Sequence, residues 1–142
     1  MIVPDINLLL YAEVDAHPLH AAARRWWETA LSGDRQVGLA PVCLFGFLRL
    51  STSRHVFVDP LDVDQAVERV ERWLNQPNVV PLTPGPAHLH TAFRLIRQIG
   101  AAANLTTDVQ IAAHAIEVNG DVYSNDGDFA RFEGLRWVNP LR

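Results

Sequence analysis

Aspartates are the side chains whose placement in this sequence could do chemistry. Asp5 closes the short apolar stretch Ile2-Val3-Pro4 and is followed by Ile6-Asn7 and the apolar run Leu8-Leu9-Leu10-Tyr11-Ala12. Asp108 follows Thr106-Thr107 and opens an alanine-rich stretch, and Asp126 and Asp128 flank Gly127 in Ser124-Asn125-Asp126-Gly127-Asp128. Four carboxylates gathered at one mouth would repel strongly unless a divalent cation sat among them. Hard divalent cations take carboxylate oxygens and keep several waters. Such a centre can generate hydroxide and stabilise an in-line displacement at phosphorus. Each acid alone also has a plainer reading: a strand-end turn for Asp5, a dipole-favoured helix start for Asp108, a surface turn for Asp126 and Asp128. The joint pattern is more specific than its parts, because α/β topology gathers strand ends and helix starts along one edge of a sheet.

Alternating strands and helices are what would carry these acids there. After the opening strand, helical spacing links His20, Arg24, Trp27 and Leu31, and Ser32-Gly33-Asp34 ends that run. Val37 to Ala40 reads as a short buried strand, and Pro41 begins a helix through Leu44, Phe47, Leu48 and Leu50. Ser51 to Pro60 connects to a helix capped by Asp62, with Val67, Val70 and Leu74 as its apolar stripe. Val79 to Leu82 reads as a third strand, placed at a sheet edge by Pro81. A helix marked by Leu89, Phe93, Ile96 and Ile99 stops at Gly100. Ala101 to Thr107 reads as a small-residue loop, followed by a helix from about Asp108 to Val118 that ends at Asn119-Gly120. Asp121 to Ser124 and Leu135 to Val138 complete the strands. The alternation predicts a three-layer α/β/α sandwich with a mainly parallel sheet.

At 142 residues one domain over 1–142 is expected, with 49% hydrophobic residues excluding wholesale disorder. The lone Cys43 cannot form an internal disulfide, the N-terminus lacks the basic start of a signal peptide, and no apolar run would span a membrane. A cytoplasmic protein is therefore expected. The formal charge of −4 argues against sequence-independent coating of DNA. All twelve basic residues are Arg, which suits bidentate phosphate contact but also fits a genome-composition effect. His17 and His20, three residues apart, lack an evident third metal ligand and read as surface or cap residues. His114, six residues beyond Asp108, is turned away from that acid and reads as packing.

The chain resembles the PIN-domain ribonucleases, specifically VapC-type toxins of bacterial toxin–antitoxin pairs. The matching stretches are Asp5-Ile6-Asn7, Asn104-Leu105-Thr106-Thr107-Asp108, Ser124-Asn125-Asp126-Gly127-Asp128-Phe129 and the closing Phe132-Glu133-Gly134-Leu135-Arg136-Trp137. The resemblance spans essentially the whole chain. It implies a five-stranded parallel sheet of order 3-2-1-4-5 and Mg²⁺- or Mn²⁺-dependent cleavage of RNA phosphodiesters, leaving 5′-phosphate and 3′-hydroxyl ends. It further implies a homodimer and inhibition by a cognate VapB-type antitoxin, with transfer or ribosomal RNA as substrate. Asp5, Asp108 and Asp126 match the metal-holding acids, Asp128 matches a fourth acid of the last motif, and Asn7 and Ser124 are placed to orient Asp5 and the metal's waters.

One position departs from the resemblance. The family's usual Glu in the helix after strand two falls on Gly46, which is expected to leave weaker metal binding or a more open, water-filled shell. A catalytically weakened PIN fold acting as an RNA- or partner-binding module is the alternative this raises. A metal-dependent phosphatase is less favoured, since Asp5-Ile6-Asn7 lacks a second Asp two residues on. Exposed apolar side chains, with Trp26, Phe47 and Phe57 as candidates, are expected to receive an amphipathic helix of the antitoxin.

Overall fold

In the computed structural model, which describes residues 1–100 and 102–142, five three-residue strands form one sheet. They are β1 (Ile2–Pro4), β2 (Val37–Leu39), β3 (Val79–Pro81), β4 (Asp121–Tyr123) and β5 (Arg136–Val138), in the order β3-β2-β1-β4-β5 with every pairing parallel. The helices are α1 (Ile6–Glu13), α2 (His20–Ser32), α3 (Pro41–Ser51), α4 (Val63–Leu74), α5 (His88–Ile99) and α6 (Thr106–Glu117). This is the α/β/α sandwich expected from the sequence. β1 and β2 are buried at all three positions, as continuous apolar strands covered on both faces must be. β3 is an edge strand and ends on Pro81, which has no N–H to give a further neighbour.

Local chemistry sets most element boundaries. Asp62 caps α4 in a reciprocal box with Gln65. Gly100 ends α5 at φ 77°, a conformation that suits glycine. The sequence reading of a loop over 101–107 begins on Ala101, which lies outside the described residues. Beyond it, Ala103–Leu105 form a 3-10 turn and α6 starts at Thr106, two residues before Asp108. The core runs through Val3, Leu9, Trp27, Val37, Leu39, Phe47, Trp73, Leu95, Ile111, Val122 and Phe129.

The register of β1 on β4 brings distant motifs together. Ile2, Val3 and Pro4 lie opposite Asp121, Val122 and Tyr123. The next residues along, Asp5 and Ser124, therefore leave the same carboxyl edge side by side, and Asp5 N donates to Tyr123 O at 2.9 Å.

Phe47 corrects the expectation of exposed apolar residues. It is fully buried, because α3 turns Cys43, Gly46 and Phe47 inward at i, i+3, i+4 spacing. Phe45 faces outward instead, 71% exposed. Trp26 and Phe57 are half-buried, with Trp26 stacked on Tyr123 at 5.7 Å between ring centroids. Among the described residues no helix is long and apolar enough to cross a membrane.

Candidate metal centre

Ser124 is the hub of the site. Its hydroxyl donates to Asp5 Oδ2 at 2.7 Å and accepts from Asp126 N at 2.9 Å and Asn7 Nδ2 at 3.3 Å. One O–H and two lone pairs are thereby all used. Asn7 in turn accepts from Asn125 N through Oδ1 at 3.5 Å, a marginal length. The other oxygen of Asp5 accepts from Ile6 N at 2.7 Å, so Asp5 both caps α1 and faces Ser124. Asp126 Oδ1 accepts from Asp128 N at 2.9 Å and starts the 3-10 turn Gly127–Arg131.

Asp108 enters from α6 and lies in its first turn. Asp108, Asp126 and Asp128 each place a carboxylate oxygen within 4.8 Å of the other two. Asp5 stands behind this trio, buried and hydrogen-bonded, and its charge acts on Asp108. Burial falls off across the set, from Asp5 through the half-buried Asp108 and Asp126 to the exposed Asp128. The site opens to solvent on the Asp128 side.

Electrostatics show what this arrangement lacks. Burial lifts the Asp108 carboxyl to about 7, and the charges of Asp5, Asp126 and Asp128 add to the lift. Asp5 is also raised, by burial first and by Asp126 last, against hydrogen bonds from Ser124 and Ile6 that pull it down. Among the described residues no cationic side chain acts on either acid. An all-oxygen donor set with mutual repulsion and no counter-charge fits a hard divalent cation.

Two residues around the acids escaped the sequence reading. Cys43 in α3 is fully buried close enough to Asp5 and Asp108 that both charges, after burial itself, push its thiol well up. Ile6 fills the space beside Gly46: a Cβ added at Gly46 would overlap Ile6 Cδ1 and lie 3.0 Å from Cγ1. The space next to Gly46 is therefore occupied by an apolar side chain. The signal available in the sequence was a glycine inside an apolar helix, which often marks close packing.

The remaining candidates lie elsewhere. His17 stacks on Tyr11, and His20 Nδ1 meets Tyr11 O at 2.7 Å, so both serve the α1–α2 connection. Arg24 is engaged by Glu28 at 3.0 Å and Glu13 at 4.0 Å. His114 is buried against His88, away from the acids.

The PIN domain family model matches residues 2–135. The chain belongs to that family, among its VapC-type ribonucleases. It is 49% identical over 142 residues to ribonuclease VapC33 of Mycobacterium tuberculosis, covering 100% of this chain and 99% of that protein. It is 39% identical over 140 residues to ribonuclease VapC37 of the same species, covering 99% and 97%. Among solved structures, VapBC2 from Rickettsia felis, bound to a fragment of promoter DNA, superposes with a TM-score of 0.72 at 18% identity, covering 98% of each chain. The sarcin-ricin-loop-cleaving toxin VapC20 of M. tuberculosis superposes at 0.70 and 19% identity, covering 96% of this chain and 99% of that one. At those identities the superpositions speak to the PIN fold, and the curated relatives carry the ribonuclease assignment.

Proposed function

We propose that this PIN domain is the endoribonuclease toxin of a toxin–antitoxin pair, folding as one unit over 1–142 and hydrolysing RNA phosphodiesters with a carboxylate-held Mg²⁺ or Mn²⁺. The observation that carries the reading is the convergence of Asp108, Asp126 and Asp128 oxygens within 4.8 Å beside a buried, hydrogen-bonded Asp5. Relatives named as ribonucleases at 49% and 39% identity support the choice of RNA as substrate.

Asp5, Asp108 and Asp126 would hold the cation, with Asp128 on the solvent side where substrate arrives. A bound divalent ion there supplies positive charge to a phosphate and lowers the pKa of water. Ser124 keeps the Asp5 carboxylate and the Asp126 backbone in fixed relation, and Asn7 keeps Ser124 from rotating away. Asp108 must shed any proton it carries near pH 7 to serve as a ligand.

The cognate VapB-type antitoxin is the proposed partner. The exposed apolar Phe45, Val58 and Val63, together with half-buried Trp26 and Phe57, offer surface for an amphipathic helix. Transfer or ribosomal RNA is the proposed target, since an exposed loop can be read by sequence and shape. A homodimer in the cytoplasm completes the reading.

Ile6 beside Gly46 favours a second reading, a PIN fold that binds RNA or partner with little turnover. Labelled RNA incubated with wild type and Asp5→Ala, with Mg²⁺ or Mn²⁺ and with EDTA, separates the two. Cleavage by wild type alone, abolished by EDTA, supports the nuclease. Equal behaviour of both proteins on transfer and ribosomal RNA sinks it.

A further inference from the structure

Away from the acidic mouth, His88, His114 and Glu117 converge where α5 begins and α6 ends. Each offers one ligand atom, two imidazole nitrogens and a carboxylate oxygen, all within 4.8 Å of one another. The imidazole rings of His88 and His114 lie 4.3 Å apart between centroids. His88 and His114 are 8% and 6% exposed. We propose that this trio is a second metal site, built for zinc.

The donor set decides the class of ion. Two imidazoles and one carboxylate make a borderline set that suits Zn²⁺, whereas the acidic mouth offers oxygen alone and suits a hard cation. His114 and Glu117 are three residues apart on α6 and so share a helix face. Zinc bonds of about 2.0–2.1 Å place tetrahedral ligand atoms about 3.4 Å apart, so small rotamer shifts close the set around an ion.

The surroundings are organised for a ligand more than for packing. Glu117 Oε1 is held by His88 Nδ1, and Oε2 accepts from Gly85 N at 2.8 Å. The Gly85 bond fixes the carboxylate from behind, as metal sites orient their donors, and leaves Oε1 as the ligand atom once zinc displaces the proton it shares with His88. Gly85 permits this approach, since a Cβ there would come 2.5 Å from Oε2. His114 makes no side-chain hydrogen bond among the described residues, although it is more than nine-tenths buried. One nitrogen of its ring lies within 4.8 Å of a ligand atom on each of His88 and Glu117.

The consequence is mechanical. A zinc ion would join the start of α5 to the end of α6 and pin the hairpin that presents Asp108 at its other end. His114 and Asp108 are separated by six residues, about 9 Å along the helix. The site shares no residue with the acidic mouth, so it stands or falls independently of the nuclease reading.

Co²⁺ and Zn²⁺ titrations of the full chain, stripped by chelator, test the proposal. One equivalent of Co²⁺ is expected to produce the visible bands of a four-coordinate ion, and equimolar Zn²⁺ to bleach them. The same response is expected from Asp108→Asn/Asp126→Asn, which disables the acidic mouth. His114→Gln and Glu117→Gln are expected to weaken binding at least about tenfold, and Gly85→Ala to weaken it by crowding Oε2. Circular dichroism identifies any variant that does not fold, and the remaining ones then decide. Absence of the bands from wild type overturns the site, as does undiminished binding in the folded variants.

Discussion

The Ser124 hydroxyl donates to Asp5 Oδ2 at 2.7 Å across two adjacent parallel strands, joining residues 119 apart in sequence. The relationship follows from the β1–β4 register and fixes a buried carboxylate that would otherwise cost desolvation without return. Ser124→Ala leaves Asp5 Oδ2 and Asp126 N without their partner in a site too buried to hydrate freely. A loss of about 1–3 kcal/mol is expected in denaturant unfolding, the cost of stranding a buried polar group. Metal-dependent RNA cleavage is expected to fall by a larger factor than the stability change explains, because Asp5 and Asp126 lose their common anchor. Unchanged stability and unchanged cleavage would remove Ser124 from its central place.

The metal-free protein is expected to lose stability as pH rises from about 4 to about 7. Burial holds the Asp108 carboxyl at about 7 in the fold, against an ordinary value of 3.8. Between those values the native state holds a proton that the unfolded chain has released. Stability is therefore greatest below the unfolded value and is lost through the folded one. Asp5, also raised, acts in the same direction. A divalent cation at saturating concentration is expected to reverse the slope, since it binds the ionised form and releases the proton. Thermal melts in EDTA and in Mn²⁺ across this range measure the effect. Parallel curves in the two buffers would separate the acids from the metal.

Gly46 makes a sign-reversal test possible. In an unobstructed helix interior, Gly→Ala stabilises by roughly 0.5–1 kcal/mol. Here the new methyl meets Ile6 Cδ1, and Ile6 is itself buried against the core. Gly46→Ala is expected to destabilise the wild type by about 1–3 kcal/mol through overpacking. In an Ile6→Val background, which removes Cδ1, the same change is expected to become neutral or stabilising. A double-mutant cycle by urea unfolding reads the coupling. Gly46→Glu alone is expected to lower stability without raising RNA cleavage, whereas Gly46→Glu with Ile6→Ala gives the carboxylate room.

These contrasts mark what the sequence could carry. The placing of Asp5, Asp108, Asp126 and Asp128 at one edge of the sheet was legible, because an acid just beyond a strand or in the first turn of a helix has few places to go in a parallel sheet. The edge position of β3 was legible from Pro81, which cannot donate to a neighbour. Strand order was not readable from pattern. Each strand has three residues, too few for periodicity to name its partners, and the order came from family resemblance. The inward turn of Phe47 and outward turn of Phe45 were recoverable from the 3.6-residue period but are lost when both are read only as apolar. The Ile6–Gly46 contact and the His88–Glu117 pair depend on how helices cross. Sequence spacing within one element holds no record of that.

Asp108→Asn separates stability from function most cleanly. Asp108 accepts no hydrogen bond among the described residues, and every charge acting on it is negative. Its ionised form is therefore an unreturned cost at pH 8, and an isosteric amide removes that cost without opening a cavity. The metal-free variant is expected to melt above the wild type at pH 8 and to match it near pH 5, where wild-type Asp108 is already protonated. Adding Mn²⁺ is expected to raise the melting temperature of the wild type more than that of the variant, since one oxygen ligand has lost its charge. RNA cleavage is expected to drop by at least about 100-fold, as functional sites trade stability for ligand charge. A variant less stable than wild type at pH 8 would show that Asp108 is held by a partner, and the repulsion drawn from its position would be wrong.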